Sequence, residues 1–391
     1  MRSLKVVCAL DSFKGSLGSL DAGEAACRGV LRAVPSAQVV AVPIADGGEG
    51  TLDALMWAHG KQLVSVETVD AANRPILAEY GIIERCGARI AVLECAQTVG
   101  LHQVAVDSQL PPVASSFGFG AVFLDALNHD VDEILVTLGG SATTDGGTGV
   151  FQALGAVLRD ANGDVIPRGV NPLWTFHTLD VSDMQSLGDT RVTILGDVKN
   201  PMTGPEGAAA TFGPQKGATP EQVAHLDSQQ ARWATVLEET FERVVDRVPG
   251  SGAAGGLGGA FVALGGSMHP GFDRVAHEVG LADILKDADL VITGEGSIDS
   301  QSAYGKVPSG VAHLAHLVGA LAVGLGGRIK RPLHEVDELL DGVFPIHSEP
   351  LPLAEAMSPE TTAQGIEVTT FEVVRLLSSA HTNRKLRDTP N

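Results

Sequence analysis

Residues 4–10 read LKVVCAL and run straight into DSFKGS at 11–16, with a helical pattern following over 20–34. An apolar stretch of strand propensity, a Gly/Ser turn and an amphipathic run make one strand-turn-helix unit. The next segment repeats it, with QVVAVPI at 38–44, the turn ADGGEGT at 45–51, and apolar positions at Leu52, Leu55 and Met56 leading to Gly60. Two such units in succession imply strands paired in parallel through helical crossovers, hence an α/β fold with a Rossmann-like parallel sheet.

From about residue 63 the period changes. VSVETV, ILAEYGII and RIAVLEC are β-rich runs separated by turn residues, with no helix between them. EILVTL at 133–138 ends in GGSATTDGGTG and is followed by a helix expected to run through Leu154 and Val157. Thr219, Pro220 and Gln222 make a capping-box start, and Val223, Leu226, Trp233, Leu237, Phe241 and Val244 supply an apolar stripe for a long helix. After about 285 the first grammar returns: strand ADLVIT, turn GEGSID, helix GVAHLAHL, strand ALAVGL and a terminal helix capped by Ser358 and Pro359. The expected architecture is therefore a discontinuous Rossmann-like domain, 1–62 with 285–391, and an inserted mixed α/β domain over 63–284.

The 391 residues, at about 150 per domain, leave ample interior for two or three cores. Acidic residues outnumber basic ones 47 to 27, and the formal charge of −20 repels a phosphodiester backbone or an anionic bilayer. Neither nucleic acid nor membrane is an expected partner. Uncharged apolar runs such as the five residues at 6–10 fall far short of the roughly 20 that span a bilayer. Arg2 and Lys5 precede a short apolar stretch with no small-residue cleavage site, so the cytoplasm is the expected location. Cys8, Cys27, Cys86 and Cys95 lack C-x-x-C spacing and read as reduced, mostly buried thiols. The 12 histidines contain no HExxH, and His313 with His316 lacks a neighbouring acidic ligand, so a surface or structural role is expected for that pair.

Glycine is the unusual count, 47 residues or about 12% against about 7% typically. Five Gly-rich segments each carry charge: DSFKGS at 11–16, ADGGEG at 45–50, GGSATTDGG at 139–147, the stretch from GDVKNP to FGPQKG at 196–217, and GEGSID at 294–299. One alone reads as a tight turn. Five together, mostly after strands, suit backbone N–H groups aimed at an anion, with Gly47, Gly48, Gly139, Gly140 and Gly294 as candidates. Of nine lysines, Lys14, Lys199, Lys216 and Lys306 lie in or beside these segments. Lys14 and Lys306 are the preferred phosphate partners, while Lys199 and Lys216 also fit ordinary surface lysines. Asp11, Asp46, Glu49, Asp145, Asp197, Glu295 and Asp299 supply carboxylates for Mg²⁺ or a base, although Asp in turns often only caps the next helix. Standard nucleotide motifs fail: Val307 follows Gly305-Lys306 where a Walker loop needs Ser or Thr, and the GxGxxG of Gly250, Gly252 and Gly255 follows Pro249 rather than a strand.

Taken in order, DSFKGSL at 11–17, ADGGEGT at 45–51, GGSATTDGG at 139–147, DVKNP at 197–201, FGPQKGATP at 212–220, GAAGGLG at 252–258 and TGEGSIDSQSAYGK at 293–306 resemble the type I glycerate kinase family over nearly the whole chain. That resemblance implies ATP- and Mg²⁺-dependent phosphorylation of glycerate, in bacterial enzymes mainly at the 2-hydroxyl, by two α/β domains with the active site in their cleft. It implies that Asp11, Ser12, Lys14 and Ser16, with Asp46, Gly47, Gly48 and Glu49, line one side. Ser141, Thr143, Asp145, Asp197, Asn200, Glu295, Asp299, Gln301 and Lys306 would face them. On this reading Lys14 and Lys306 contact phosphate oxygens, the Gly139 to Gly147 and Gly294 to Gly296 backbones, Gly140 among them, cradle the nucleotide, and Asp145, Glu295 and Asp299 are the metal candidates. Asp197 is the first choice of base and Asp46 the second. Glycerate and ATP are the expected partners, with a homodimer left open.

The chain departs from the family pattern at Leu10, where proline is common, at Thr144 in place of Asn, and at Ser297 in place of Arg. The last change removes a positive charge, and Arg328, in GLGGRIK where family members continue into LAG, is the candidate to restore it in space. Three other functions stand beside glycerate phosphorylation: a kinase for a related small hydroxy acid, a serine amidase built on Ser141, and a non-catalytic carboxylate-binding module. GGSATTDGG lacks GxSxG, and no second serine and lysine stand close in sequence to complete an amidase triad.

Overall fold

A computed structural model describes residues 3–60, 62–303 and 305–387. Strand Lys5–Cys8 pairs in parallel with Gln38–Ala41 on one side and Leu290–Ile298 on the other. Leu321–Ile329 and Gly342–Pro345 continue the sheet, again in parallel, so the five strands counted along the chain run in the order 2-1-3-4-5. That order reverses direction between Lys5–Cys8 and Leu290–Ile298. In an open doubly wound sheet the crevice for a ligand lies there, beyond the carboxyl ends of the strands.

After Lys5 the first strand is apolar because both faces are covered. Val6 and Cys8 belong to one core, with Ala22, Ala26 and Val30 of helix Ser19–Ala33, while Val7 and Ala9 belong to the other, with Val291 and Val311. Ser19 anchors its helix to the sheet: its hydroxyl donates to the Leu10 carbonyl at 2.6 Å and accepts the Ile44 N–H at 2.8 Å. The helix packs so closely on Pro359–Arg387 that a Cβ at Gly29 would strike the Glu367 carbonyl oxygen. The terminal helix begins as expected, the Ser358 hydroxyl accepting the Thr361 N–H at 3.2 Å.

The expected turn GEGSID is mostly strand. Leu290–Ile298 runs on through Gly294, Glu295 and Gly296, because Leu321–Ile329 pairs with it as far as Ile298↔Ile329. Gly294 is required by packing, since a Cβ there would collide with the Leu325 carbonyl.

A second sheet is mixed, in the order Ser267–His269, Arg191–Leu195, Glu133–Thr137, Ala88–Glu94, Pro75–Arg85, Leu63–Val69. Its first four strands are parallel and the last two antiparallel. Helix Pro220–Phe241 opens with the reciprocal Thr219–Gln222 capping box, and its Leu226, Trp233 and Leu237 are fully buried. It ends at Glu242, so Val244 lies beyond it and stands 67% exposed instead of completing the stripe. The helix expected through Val157 stops earlier as well. Thr148–Ala153 is broken at Gly155, where φ is 99°, and Val157–Arg159 is a strand paired with Thr178–Asp180.

The chain divides into two compact units, Met1–Asp46 with Asp53–Ala58 and Phe272–Asn391, and Gly47–Leu52 with His59–Gly271. All four cysteines are free, and Cys86 alone of them is exposed. His313 and His316 are exposed, the latter 3.1 Å from the Asp341 carboxylate. No described helix is long and apolar enough to cross a membrane.

Candidate functional site

In the terminal unit the loop after Lys5–Cys8 passes beside the end of Leu290–Ile298. The Asp11 N–H donates to the Gly294 carbonyl at 2.9 Å. Phe13 and Leu17 then bond each other across a turn whose Gly15 has φ 74°, which presents Lys14 at the exposed tip. Asp11 itself is buried. Burial, then the neighbouring Asp46 carboxylate, push its carboxyl well above the usual range, against the Lys14 ammonium and the Ser12 N–H. Glu295 is also pushed up by burial, opposed by Lys306, whose Nζ lies 3.5 Å from Oε2, and by the Ser302 hydroxyl donating to Oε1.

These groups border a cavity of about 460 Å³ lined by Asp11, Ser12, Lys14, Ser16, Glu295, Asp299 and Lys306. Ser12 is buried, with its hydroxyl lacking a hydrogen-bond partner among the described residues. Ser16 turns to the terminal helix, 2.5 Å from the Thr362 hydroxyl. Asp299 caps its own turn, accepting the Gln301 N–H at 2.9 Å, and Gln301 is exposed outside the lining. Ser297 and Arg328 are register partners on adjacent parallel strands, and both line the cavity. Three cationic side chains, Lys14, Lys306 and Arg328, thus border one hollow with two buried acids.

The inserted unit gathers the other candidates around the turn at 139–147. Gly139 admits the Gly48 backbone, since a Cβ would lie 2.6 Å from the Gly48 Cα, and Gly47 does the same for Gly271. The buried Glu94 accepts the Gly50 and Leu52 N–H groups, and the Glu49 carboxylate lies 3.8 Å from where a Gly140 Cβ would stand. Lys216 lies beneath the turn, buried rather than on the surface. Its ammonium donates to Ser141 Oγ at 3.0 Å and to the Thr143 carbonyl at 2.7 Å. Burial pulls it down to about 8, against the charges of Cys95 and Asp145. The Thr143 hydroxyl is buried without a partner among the described residues.

Asp145, a metal candidate by sequence, is wholly buried and engaged by its own surroundings. The Ser116 N–H and hydroxyl both donate to Oδ2 at 2.7 Å, and the Gly147 and Gly149 N–H groups complete the set at 3.1 and 3.2 Å. It is the clamp of its loop. Gly255 of the GxGxxG string packs on that loop, where a Cβ would strike the Thr143 carbonyl. Asp197 Oδ1 accepts the Gly271 N–H at 3.1 Å, and the Asn200 amide donates to the Glu206 carbonyl at 2.7 Å, tying down its own segment.

Lys216, which by sequence also fits an ordinary surface lysine, is buried, and only its place in FGPQKGATP marks it. Ile346, Leu353 and Met357, which also line the cavity, lie in no motif, and Phe13 is the apolar member of DSFKGS.

The glycerate kinase family profile matches residues 6–378. The glycerate kinase of Bacillus subtilis is 37% identical over 97% of this chain and 99% of its own length. The glycerate 2-kinase of Escherichia coli K12 is 38% identical over 88% and 90% respectively. A crystal structure from Salmonella typhimurium LT2, described as glycerate kinase 2, superposes with a TM-score of 0.80 at 38% identity, covering 97% of this chain and all of that one. On the sequence, the two sheets and these matches, the chain belongs to the glycerate kinase family of phosphotransferases.

Proposed function

We propose that the protein transfers the γ-phosphoryl group of ATP to the 2-hydroxyl of D-glycerate, yielding 2-phosphoglycerate and ADP, in the cytoplasm. The observation that carries this reading is the cluster of Lys14, Lys306 and Arg328 at the switch-point cavity, on a chain of net charge −20. Positive groups held there offset the charge of a polyanion and of the transition state through which it reacts. Lys14 and Lys306 act as point charges on phosphate oxygens, and Arg328 offers a planar fork to phosphate or carboxylate. The glycine turn at 139–147, braced by Lys216 and Asp145, offers backbone N–H groups to an anion. Asp197, its Oδ1 fixed by the Gly271 N–H, takes the hydroxyl proton; Asp46 is the alternative base.

Among the described residues no three His, Cys, Asp or Glu side chains converge as a metal cage. This suits Mg²⁺, which keeps waters and phosphate ligands and needs only one or two carboxylates. Asp11 and Glu295, both pushed up by burial and by Asp46, gain from a neighbouring divalent charge, and they are the two residues that would hold it. Bound there, the ion would neutralise charge on the transferring phosphoryl group.

The test is ADP formation from ATP, Mg²⁺ and D-glycerate, with phosphorus NMR of the product. A 2-phosphoglycerate signal is expected. A 3-phosphoglycerate signal would correct the position, and turnover only with another hydroxy acid would replace the acceptor. One observation supports a second reading: the Lys216 ammonium on Ser141 Oγ is the contact a Ser–Lys hydrolase uses. Amide hydrolysis without ATP, abolished in Ser141→Ala, would establish it.

Arg328 has its own test. Arg328→Ser is expected to lower kcat/KM about 10- to 100-fold, the worth of a charge-assisted hydrogen bond. Because paired strands lie about 4.8 Å apart, Ser297→Arg added to Arg328→Ser should recover most of that loss. Kinetics of the double variant no better than those of Arg328→Ser would show that the two positions do not serve one anion.

A further inference from the structure

We propose that Ser19 is a positioning residue: its hydroxyl is a wedge set into the ladder between the first two strands, and it fixes the separation of the segments that carry Asp11 and Asp46. The inference rests on the phosphotransfer reading above and adds to it a buried residue outside the cavity lining.

Strand register is the first argument. Lys5–Cys8 and Gln38–Ala41 pair in parallel, from Lys5↔Gln38 to Cys8↔Ala41. In that register the Gln38 N–H donates to the Leu4 carbonyl at 2.8 Å, and the Val42 N–H donates to the Cys8 carbonyl at 2.9 Å. Bonds in a parallel ladder are evenly spaced, so the rung that follows Val42 to Cys8 would join the Ile44 N–H to the Leu10 carbonyl. Those are the two groups that Ser19 takes. Its hydroxyl accepts the Ile44 N–H at 2.8 Å and donates to the Leu10 carbonyl at 2.6 Å. A side-chain oxygen stands where a backbone bond would close, which holds the two strand ends about 1.5 Å farther apart than a direct rung would.

The second argument is that this hydroxyl does nothing for its own helix. A serine at a helix start ordinarily caps it. Here Gly18 occupies the cap position of Ser19–Ala33, and no side chain caps that end. Ser19 is buried, and both the donor and the acceptor of its hydroxyl are committed to other segments.

Placement is the third. Asp11 follows Leu10 directly, and Asp46 stands two residues after Ile44. The Asp46 carboxylate acts on Asp11 more strongly than the Lys14 ammonium does. Like charges in such proximity depend steeply on their spacing, and phosphoryl transfer depends on the placement of the groups around it. Without the wedge, the buried Ile44 N–H and Leu10 carbonyl would satisfy each other, and the segments leading to the two acids would be drawn together.

Ser19→Gly removes the wedge and Ser19→Thr keeps its hydroxyl. In Ser19→Gly, kcat should fall about 10- to 100-fold, the effect of a misplacement of about 1 Å, while the KM values for ATP and D-glycerate stay within about threefold. Ser19→Thr should retain kcat within about threefold of wild type. A purely structural role would lower the melting temperature of Ser19→Gly and leave the kcat of its folded fraction unchanged. A crystal structure of Ser19→Gly should show the Ile44 N–H bonded directly to the Leu10 carbonyl. Wild-type kcat in folded Ser19→Gly, strand ends as far apart there as in wild type, or a folded Ser19→Thr as slow as Ser19→Gly would overturn the proposal. Strand separation is read without substrate, so a closed rung in Ser19→Gly beside wild-type protein that does not phosphorylate D-glycerate would strike the acceptor and leave the wedge standing.

Discussion

Asp145→Ala is expected to lower the unfolding free energy by about 3–5 kcal/mol, the range found when one partner of a buried charged network is removed. Four donors lose their acceptor at once: the Ser116 N–H and hydroxyl, and the Gly147 and Gly149 N–H groups. None gains water, because the whole group is buried. Asp145→Asn keeps the shape but turns an NH₂ toward at least one of those donors, so it should also destabilise. Urea unfolding of the three proteins measures the effect. Had Asp145 served as a metal ligand, as its loop suggested, Asp145→Asn would keep wild-type stability and lose Mg²⁺-dependent turnover; that outcome would return the residue to the metal.

The second large effect belongs to Lys216. Its ammonium is pulled from 10.5 down to about 8 in the folded protein, so between these values the unfolded chain binds the proton more tightly than the folded one. Stability therefore rises with pH across that window and is level below about 8, where both states hold the proton. The full span amounts to about 3 kcal/mol for a group this deeply buried. Lys216→Met lacks the titration but leaves Ser141 Oγ and the Thr143 carbonyl without their donor. The stability difference, wild type minus variant, should thus widen by about 3 kcal/mol between pH 8 and 10.5. Parallel curves in urea unfolding over that range would show that Lys216 does not titrate there.

The two cases show what the sequence could and could not convey. Strand-turn-helix units at both ends were legible because a parallel strand covered on both faces is an almost unbroken apolar run, as VVCAL at 6–10 is. The glycine strings were legible as loops at strand ends, and their order pointed to the family. GEGSID was misread because glycines signal turns locally, whereas pairing with a strand some 30 residues later decides that Leu290–Ile298 continues. Lys216 lies 75 residues from Ser141, and only the fold brings them together. Asp145 has the same composition around it whether it holds a cation or its own loop. The difference lies in Ser116, on a distant segment.

The pairing of Lys5–Cys8 with Leu290–Ile298 also bears on how the chain reaches this state. Its central ladder joins residues 284 apart, such as Val6 and Leu290. Closing an unstructured loop of that length costs on the order of 5 kcal/mol in chain entropy before any contact forms. The intervening sequence carries its own core, and once that core has condensed, the effective loop shortens to the segments flanking it. Topology then predicts an order of events in which the inserted unit collapses first and the five-stranded sheet, whose central ladder needs both chain ends, assembles after it. Slow refolding would consequently report on the sheet that carries Lys14 and Arg328, even when the defect introduced lies in the other unit.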